Sequence, residues 1–225
     1  MNSPLSCPLK HSDCTLPLAV DQLRQRVSVL EHQSLTDALT GLINFRGFER
    51  HLAQEMERSR RLESPTSLIM LDIDHFKQVN DQYGHDMGNL ALVHLAGLLT
   101  QALRKLDLAC RFGGEEFALI LPSTPLNPAI QVAERIRELI AESPLKRPEG
   151  RLHLTVSLGV NVFLPLDELT PTGLIKATDQ YLYQAKQAGR NCTHHPPIDR
   201  RAENSAVDMR EKQELFAVFG RRQEK

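Results

Sequence analysis

Residues 66–74, Thr-Ser-Leu-Ile-Met-Leu-Asp-Ile-Asp, constrain the fold most. The apolar run is nearly continuous and lacks the alternation of a strand with one wet face. Such a strand belongs at the centre of a sheet covered on both sides. It ends in two carboxylates, Asp72 and Asp74.

The rest of the pattern supplies neighbours for that strand. "ACRFGGEEFALILP", residues 109–122, reads as a hairpin of two short strands around Gly113-Gly114, with Glu115-Glu116 at its tip. Helical spacing covers 44–61, 84–106, 127–143 and 173–191; 152–163 alternates and reads as one strand. Asn127 is the expected cap of its helix with Pro128 in the first turn, and Gly189 the expected stop of the last helix. Thr36 or Asp37 is a possible helix cap before a break at Gly41. The order predicts an α+β fold: a mixed sheet with flanking helices, close to the ferredoxin-like βαββαβ arrangement.

Outside this unit, 1–15 reads as irregular, 16–34 as an amphipathic N-terminal helix, 35–193 as the main domain and 194–225 as a charged, flexible tail. Leu16, Val20, Leu23, Val27 and Leu30 follow a heptad spacing, short of the roughly three to four heptads of a coiled coil. Such a helix either packs on its own domain or docks with a second copy or a partner protein. A formal net charge of −1 argues against a nucleic-acid partner. The N-terminus has no secretory pattern, and no apolar run approaches the roughly 20 residues of a membrane span. Four scattered cysteines suit a reducing compartment, so a soluble, cytoplasmic protein without direct membrane insertion is expected. Cys7, His11 and Cys14 offer three ligands where a structural zinc site takes four, which favours free thiols.

If the 66–74 strand lies beside the hairpin, Asp72, Glu115 and Glu116 converge. Crowded carboxylates without His or Cys favour Mg²⁺ or Mn²⁺, ions that also hold phosphate oxygens. On the hairpin alone, solvated acids at an exposed tip explain the pair better. The neighbouring residues add to the first reading. Gly113 and Gly114 let a ligand approach the backbone. The N–H groups of His75 and Phe76 open a helix or turn, a natural anion site, with Lys77 beside them and Asn80 able to bond a base. Lys186 and Arg190, four apart, share a helix face on this reading and either clamp phosphates or complement the helix dipole.

These blocks together resemble the GGDEF domain, the diguanylate cyclase family. "RFGGEEF" (Arg111 to Phe117) stands for its signature in a Glu-for-Asp form. "DALTGLINFRGF", "LDIDHFKQVND", "YGHDMGN", "AERIR", "TVSLGV" and "LYQAKQAGRN" follow in family order over roughly 35–193. The resemblance implies condensation of two GTP to cyclic di-GMP with release of two pyrophosphates, at a site completed by a homodimer. It implies two Mg²⁺ (or Mn²⁺) per site on Asp72, the Ile73 carbonyl and Glu115, with Glu116 shaping the site and helping to bind the metal, and it makes Glu115 and Glu116 the catalytic residues. It implies phosphate binding by the N–H groups of His75 and Phe76 with Lys77, Lys186 and Arg190, and guanine reading by Asn80 and Asn89. "RKLD", Arg104 to Asp107, matches the family's inhibitory R-x-x-D, with Arg135 as a second contact for cyclic di-GMP. The other reading of that tetrapeptide is a surface ion pair.

Two positions depart from the family pattern. Asn89 stands where Asp is usual. A carboxylate accepts both guanine N–H groups, whereas an amide accepts at one atom and donates at the other. Weaker GTP binding, admission of ATP with a mixed dinucleotide, or no consequence are all open. A catalytically weak GTP or cyclic di-GMP binding module is the alternative for the whole protein. Phe45 stands where an Arg is frequent and is expected to alter local packing or surface pairing, not chemistry.

Overall fold

The computed structural model describes residues 16–33, 35–147 and 150–198. Cys7, His11, Cys14 and most of the tail lie outside them. β1 (Thr66–Ile73) is central, as its composition demands: all eight of its residues are buried. β3 (Glu116–Leu121) and β6 (Val156–Phe163) flank it antiparallel, β2 (Leu108–Arg111) extends the β3 side, and β7 (Thr193–His194) pairs parallel with β6. The five-stranded order β2-β3-β1-β6-β7 contains the antiparallel ferredoxin-like core with one parallel edge strand, hence a mixed sheet.

Alternate residues of β1 feed two cores. Ile69, Leu71 and Ile73 join Phe117, Leu119 and Leu158 under α4 (His85–Ala102) and α5 (Leu126–Glu142). Leu68 and Met70 face the other way with Ala118 and Ile120, under α2 (Phe45–Leu62) and α6 (Pro171–Gln187). Asp72 is next in this second row. The sheet pattern therefore aims it at the α6 side before any functional consideration.

Two glycines decide how closely helices approach. A Cβ on Gly159 of β6 would lie 2.5 Å from the Thr178 carbonyl and closer still to Leu182 N, so only glycine lets α6 lie this near the sheet. A Cβ on Gly88 of α4 would collide with Asn80 Oδ1 on α3 (Phe76–Tyr83).

Several boundaries differ from expectation. No helix starts at Thr36 or Asp37. Asp37 instead closes a turn, accepting from Thr40 N and Thr40 Oγ1 at 2.8 and 2.7 Å. α4 ends at Ala102, not Leu106. α5 begins at Leu126 with Pro125 as its N-cap, so Asn127 lies inside the first turn and caps nothing. Residues 152–163 are not one strand: Leu152 belongs to a separate hairpin of β4 (Leu145–Arg147) and β5 (Gly150–Leu152). His194, assigned above to the tail, pairs with Gly159 in the sheet.

α1 (Leu16–Gln33) carries its apolar seam on the outside: Leu23, Val27 and Leu30 are 59%, 51% and 64% exposed, so the helix does not bury them on its own domain. Among the described residues, no helix is long and apolar enough to cross a membrane.

Candidate active site

The sheet register brings the acids together. Asp72 lies opposite Glu116 on β3 and opposite Ser157 on β6. Glu115 closes the hairpin turn, and its carbonyl accepts from Ile73 N at 3.3 Å, tying the turn to the end of β1. Phe112 N and Gly113 N both donate to the Glu116 carbonyl, at 2.8 and 3.2 Å. A Cβ on Gly113 would come within 2.6 Å of Glu116 Oε2, whereas Gly114 faces open space. The first glycine therefore makes room for an acid and the second leaves the approach clear.

Arg111 is a strut for this turn. Its Nη2 donates to the Gly114 carbonyl at 2.9 Å, and its Nη1 lies 3.2 Å from both Asp37 oxygens. Burial works against the charged Asp37, but hydrogen bonds from Thr40 and the Arg111 guanidinium outweigh it and hold its carboxyl low. The strut so links the "DALTG" segment to the signature. Phe112 sits edge-on between Phe45 and Phe48, with ring centroids 5.0 and 5.3 Å away. Phe45 thus packs against the hairpin itself.

Lys186 reaches in from α6, its Nζ 2.7 Å from Asp72 Oδ2. Burial pushes the Asp72 carboxyl up; Lys186 and Arg190 oppose this, Asp74 adds to it, and the net direction is upward. Burial and then the Asp72 charge push Glu116 up as well, against the pull of Lys186. Two neighbouring acids are thus destabilised as anions, and one ammonium only partly relieves them. Among the described residues, no three His, Cys, Asp or Glu side chains form a ready metal cluster. The donors at these strand ends are nevertheless all oxygens, and their crowding calls for positive charge, which fits a hard divalent ion.

Arg190 is not on the helix face it was expected to share with Lys186. α6 ends at Gln187, and Arg190 lies beyond it at φ +66°, in a left-handed turn. Its charge still acts on Asp72.

On the other side, His75 is the N-cap of α3 at φ +57° and supplies no side-chain cap to the helix. Gln78 N and Val79 N donate back to the His75 carbonyl at 2.8 and 3.3 Å, so only the N–H groups at the very start of the helix lack an intrahelical acceptor. His75 and Lys77 are exposed, while Phe76 is buried in the α4 core. Asn80 lodges its side chain against Gly88, one residue before the exposed Asn89.

The Arg104–Asp107 segment is a turn, not helix. Asp107 N donates to the Arg104 carbonyl at 3.0 Å, and Arg104 N donates to Asp107 Oδ2 at 2.9 Å. The Asp107 carboxylate caps its own turn, and no side-chain ion pair joins the two residues among those described. A cavity of about 400 Å³ lies beside it, lined by Gly41, Leu42, Thr100, Leu103, Arg104 and Asp107 among others. Arg135 Nη2 donates to the Ala102 carbonyl at 2.7 Å, at the end of α4.

The family described as "Diguanylate cyclase, GGDEF domain" matches residues 34–192. The chain belongs to the GGDEF family. The response regulator PleD of Caulobacter vibrioides is 40% identical over 173 residues, 76% of this chain but only 38% of PleD. The GGDEF domain of DgcB from Caulobacter crescentus, solved with c-di-GMP, superposes with TM-score 0.68 at 30% identity, covering 72% of this chain and 92% of that one. The diguanylate cyclase SiaD of Pseudomonas aeruginosa, solved with its activator SiaC, gives 0.69 at 36% identity, covering 80% and 70%. In this GGDEF domain the sequence reading gave Asp74 no role, although it is 5% exposed and bonded on every side.

Proposed function

We propose that this protein is a diguanylate cyclase, condensing two GTP to cyclic di-GMP and two pyrophosphates. One observation carries the reading: Asp72 and Glu116 sit in register, Glu115 adjoins them, and Lys186 enters from the opposite wall. Acids and a cation at one end of the central strands suit a metal–triphosphate ligand.

In the reaction, each ribose 3′-oxygen loses its proton and attacks the α-phosphorus of the other nucleotide. The bond to the β-phosphate oxygen breaks and pyrophosphate leaves; two such displacements close the ring. Asp72, the Ile73 carbonyl and Glu115 would hold two Mg²⁺ or Mn²⁺, with Glu116 beside them. When bound, these ions lower the pKa of the hydroxyl and neutralise the leaving oxygens. Glu115 assists removal of the 3′ proton. The N–H groups of His75 and Phe76 with Lys77, Lys186 and Arg190 hold the phosphates. Gly113 and Gly114 let the nucleotide approach the hairpin backbone, and Asn80 and Asn89 read guanine.

Each domain, residues 35–193, supplies half of the reacting pair, so the active form is a homodimer. The exposed seam of α1 supports pairing with a second copy or docking of an activating protein. Pyrophosphate release from GTP with Mg²⁺ tests the dimer: its specific rate is expected to rise with protein concentration and level off. A rate independent of dilution over the nanomolar to micromolar range would reject assembly of the site from two chains.

Arg104 and Asp107, with Arg135, form the inhibitory site for cyclic di-GMP on this reading, the neighbouring cavity giving room for a base. Arg104→Ala is expected to keep the initial rate and to weaken product inhibition by about tenfold or more, the loss of a charge-assisted contact. An unchanged inhibition constant would remove this role. A second reading, a module that binds nucleotide but turns it over weakly or accepts ATP, has Asn89 in its favour. The protein is cytoplasmic on either reading.

A further inference from the structure

Three consecutive residues after α6 have left-handed backbone: Gly189, Arg190 and Asn191, at φ +112°, +66° and +44°. Residues with a Cβ stay there only where the surroundings over-determine them. Here the ties are explicit. Arg190 N donates back to the Ala185 carbonyl at 3.1 Å. Asn191 Oδ1 accepts from Arg137 Nη1 at 3.2 Å. Asn191 N donates to Asp74 Oδ2 at 3.0 Å, across 117 residues of sequence.

Asp74 is otherwise occupied too. Its Oδ1 accepts from Ser157 Oγ at 2.6 Å, its Oδ2 from Thr155 Oγ1 at 2.8 Å, and its N–H donates to the Thr155 carbonyl at 2.9 Å. One carboxylate therefore joins the end of β1, the start of β6 and the turn after α6. All three partners of its oxygens donate, and two of them, Asn191 N and Thr155 Oγ1, share Oδ2. An amide oxygen at that place would keep both bonds, its N–H₂ donating to the Ser157 hydroxyl. Removing the side chain beyond Cβ takes away both acceptors and leaves the Asn191 N–H without its partner.

We infer that Asp74 is a positioning residue: it fixes the left-handed turn that presents Arg190 and so sets that cation against Asp72. This rests on the proposed cyclase reading, in which Arg190 binds GTP phosphates. Asp74 itself touches no substrate.

The test is a double-mutant cycle on the full chain. Affinity for a non-hydrolysable GTP analogue with Mg²⁺ is measured by calorimetry for wild type, Asp74→Ala, Arg190→Ala and the double variant, beside thermal melts. Asp74→Ala and Arg190→Ala are each expected to weaken binding about tenfold, and the double variant no more than about twofold beyond Arg190→Ala alone, because one residue acts through the other. If Asp74→Ala does not fold, Arg137→Ala frees the same turn from its other tie and is expected to show the same non-additivity. Losses that multiply to about 100-fold would overturn the inference. So would an Asp74→Ala protein with a lower melting temperature and unchanged affinity, which would make Asp74 a fold residue only. A wild-type chain that does not bind the analogue would remove the cyclase reading itself, and this inference with it.

Discussion

Glu115→Gln is expected to lower turnover by about 10³-fold or more while leaving the melting temperature nearly unchanged. The size follows from losing a charge that, on the proposed reading, both holds metal and assists proton removal. The indifference of the fold follows from local geometry. The bond that ties this residue to β1 runs from Ile73 N to the Glu115 carbonyl, not to its side chain. Gln keeps the volume and that backbone bond and removes only the charge. Initial rates and thermal melts on the same preparations separate the two effects. A near-normal rate would remove Glu115 from the chemistry; a collapse of the melt would mean that the side chain supports the turn after all.

Gly159→Ala is expected to be the most damaging one-carbon change in the core. The new Cβ would lie 2.5 Å from the Thr178 carbonyl and nearer to Leu182 N, both main-chain atoms of α6. Neither can rotate away, so the helix must lift off β6. Overpacking of this kind costs about 1–3 kcal/mol or more. For a domain of this size that is a drop of about 2–12 °C in melting temperature. The lift also withdraws Lys186, whose Nζ lies 2.7 Å from Asp72. Activity is therefore expected to fall even at temperatures where the variant remains folded. An unchanged melt would mean that α6 does not rest on the sheet at Gly159.

How much of this was legible beforehand depended on the range of the interaction. β1 and the β2–β3 hairpin were readable because their cues are local: a continuous apolar run and a glycine pair between short strands. β4, β5 and β7 were not. They have three, three and two residues, too short for alternation to show, and pairing alone defines them. The end of α4 was overestimated because Leu103 and Leu106 continue the helical spacing, whereas the chain turns there to close Arg104 against Asp107.

The site divides in the same way. Asp72, Glu115 and Glu116 announced themselves as acids at the ends of strands, and the register joined them. Arg190 was misplaced because a spacing of four suits a helix, while Gly189 at φ +112° ends it first. Asp74 went unused because its partners lie 81, 83 and 117 residues away. No pattern along the chain encodes such a contact. Arg111 was read as the first letter of a signature; the structure gives it the mechanical task of bracing the turn between Gly114 and Asp37.

The most direct test of the central claim is chromatographic identification of the product. The purified protein would be incubated with Mg²⁺ and GTP, ATP or both, beside Glu115→Gln. Cyclic di-GMP is expected from GTP alone, absent with the variant, which would also make Asn89 compatible with guanine. Linear or no dinucleotide from GTP, at protein concentrations high enough to pair two chains, would contradict it.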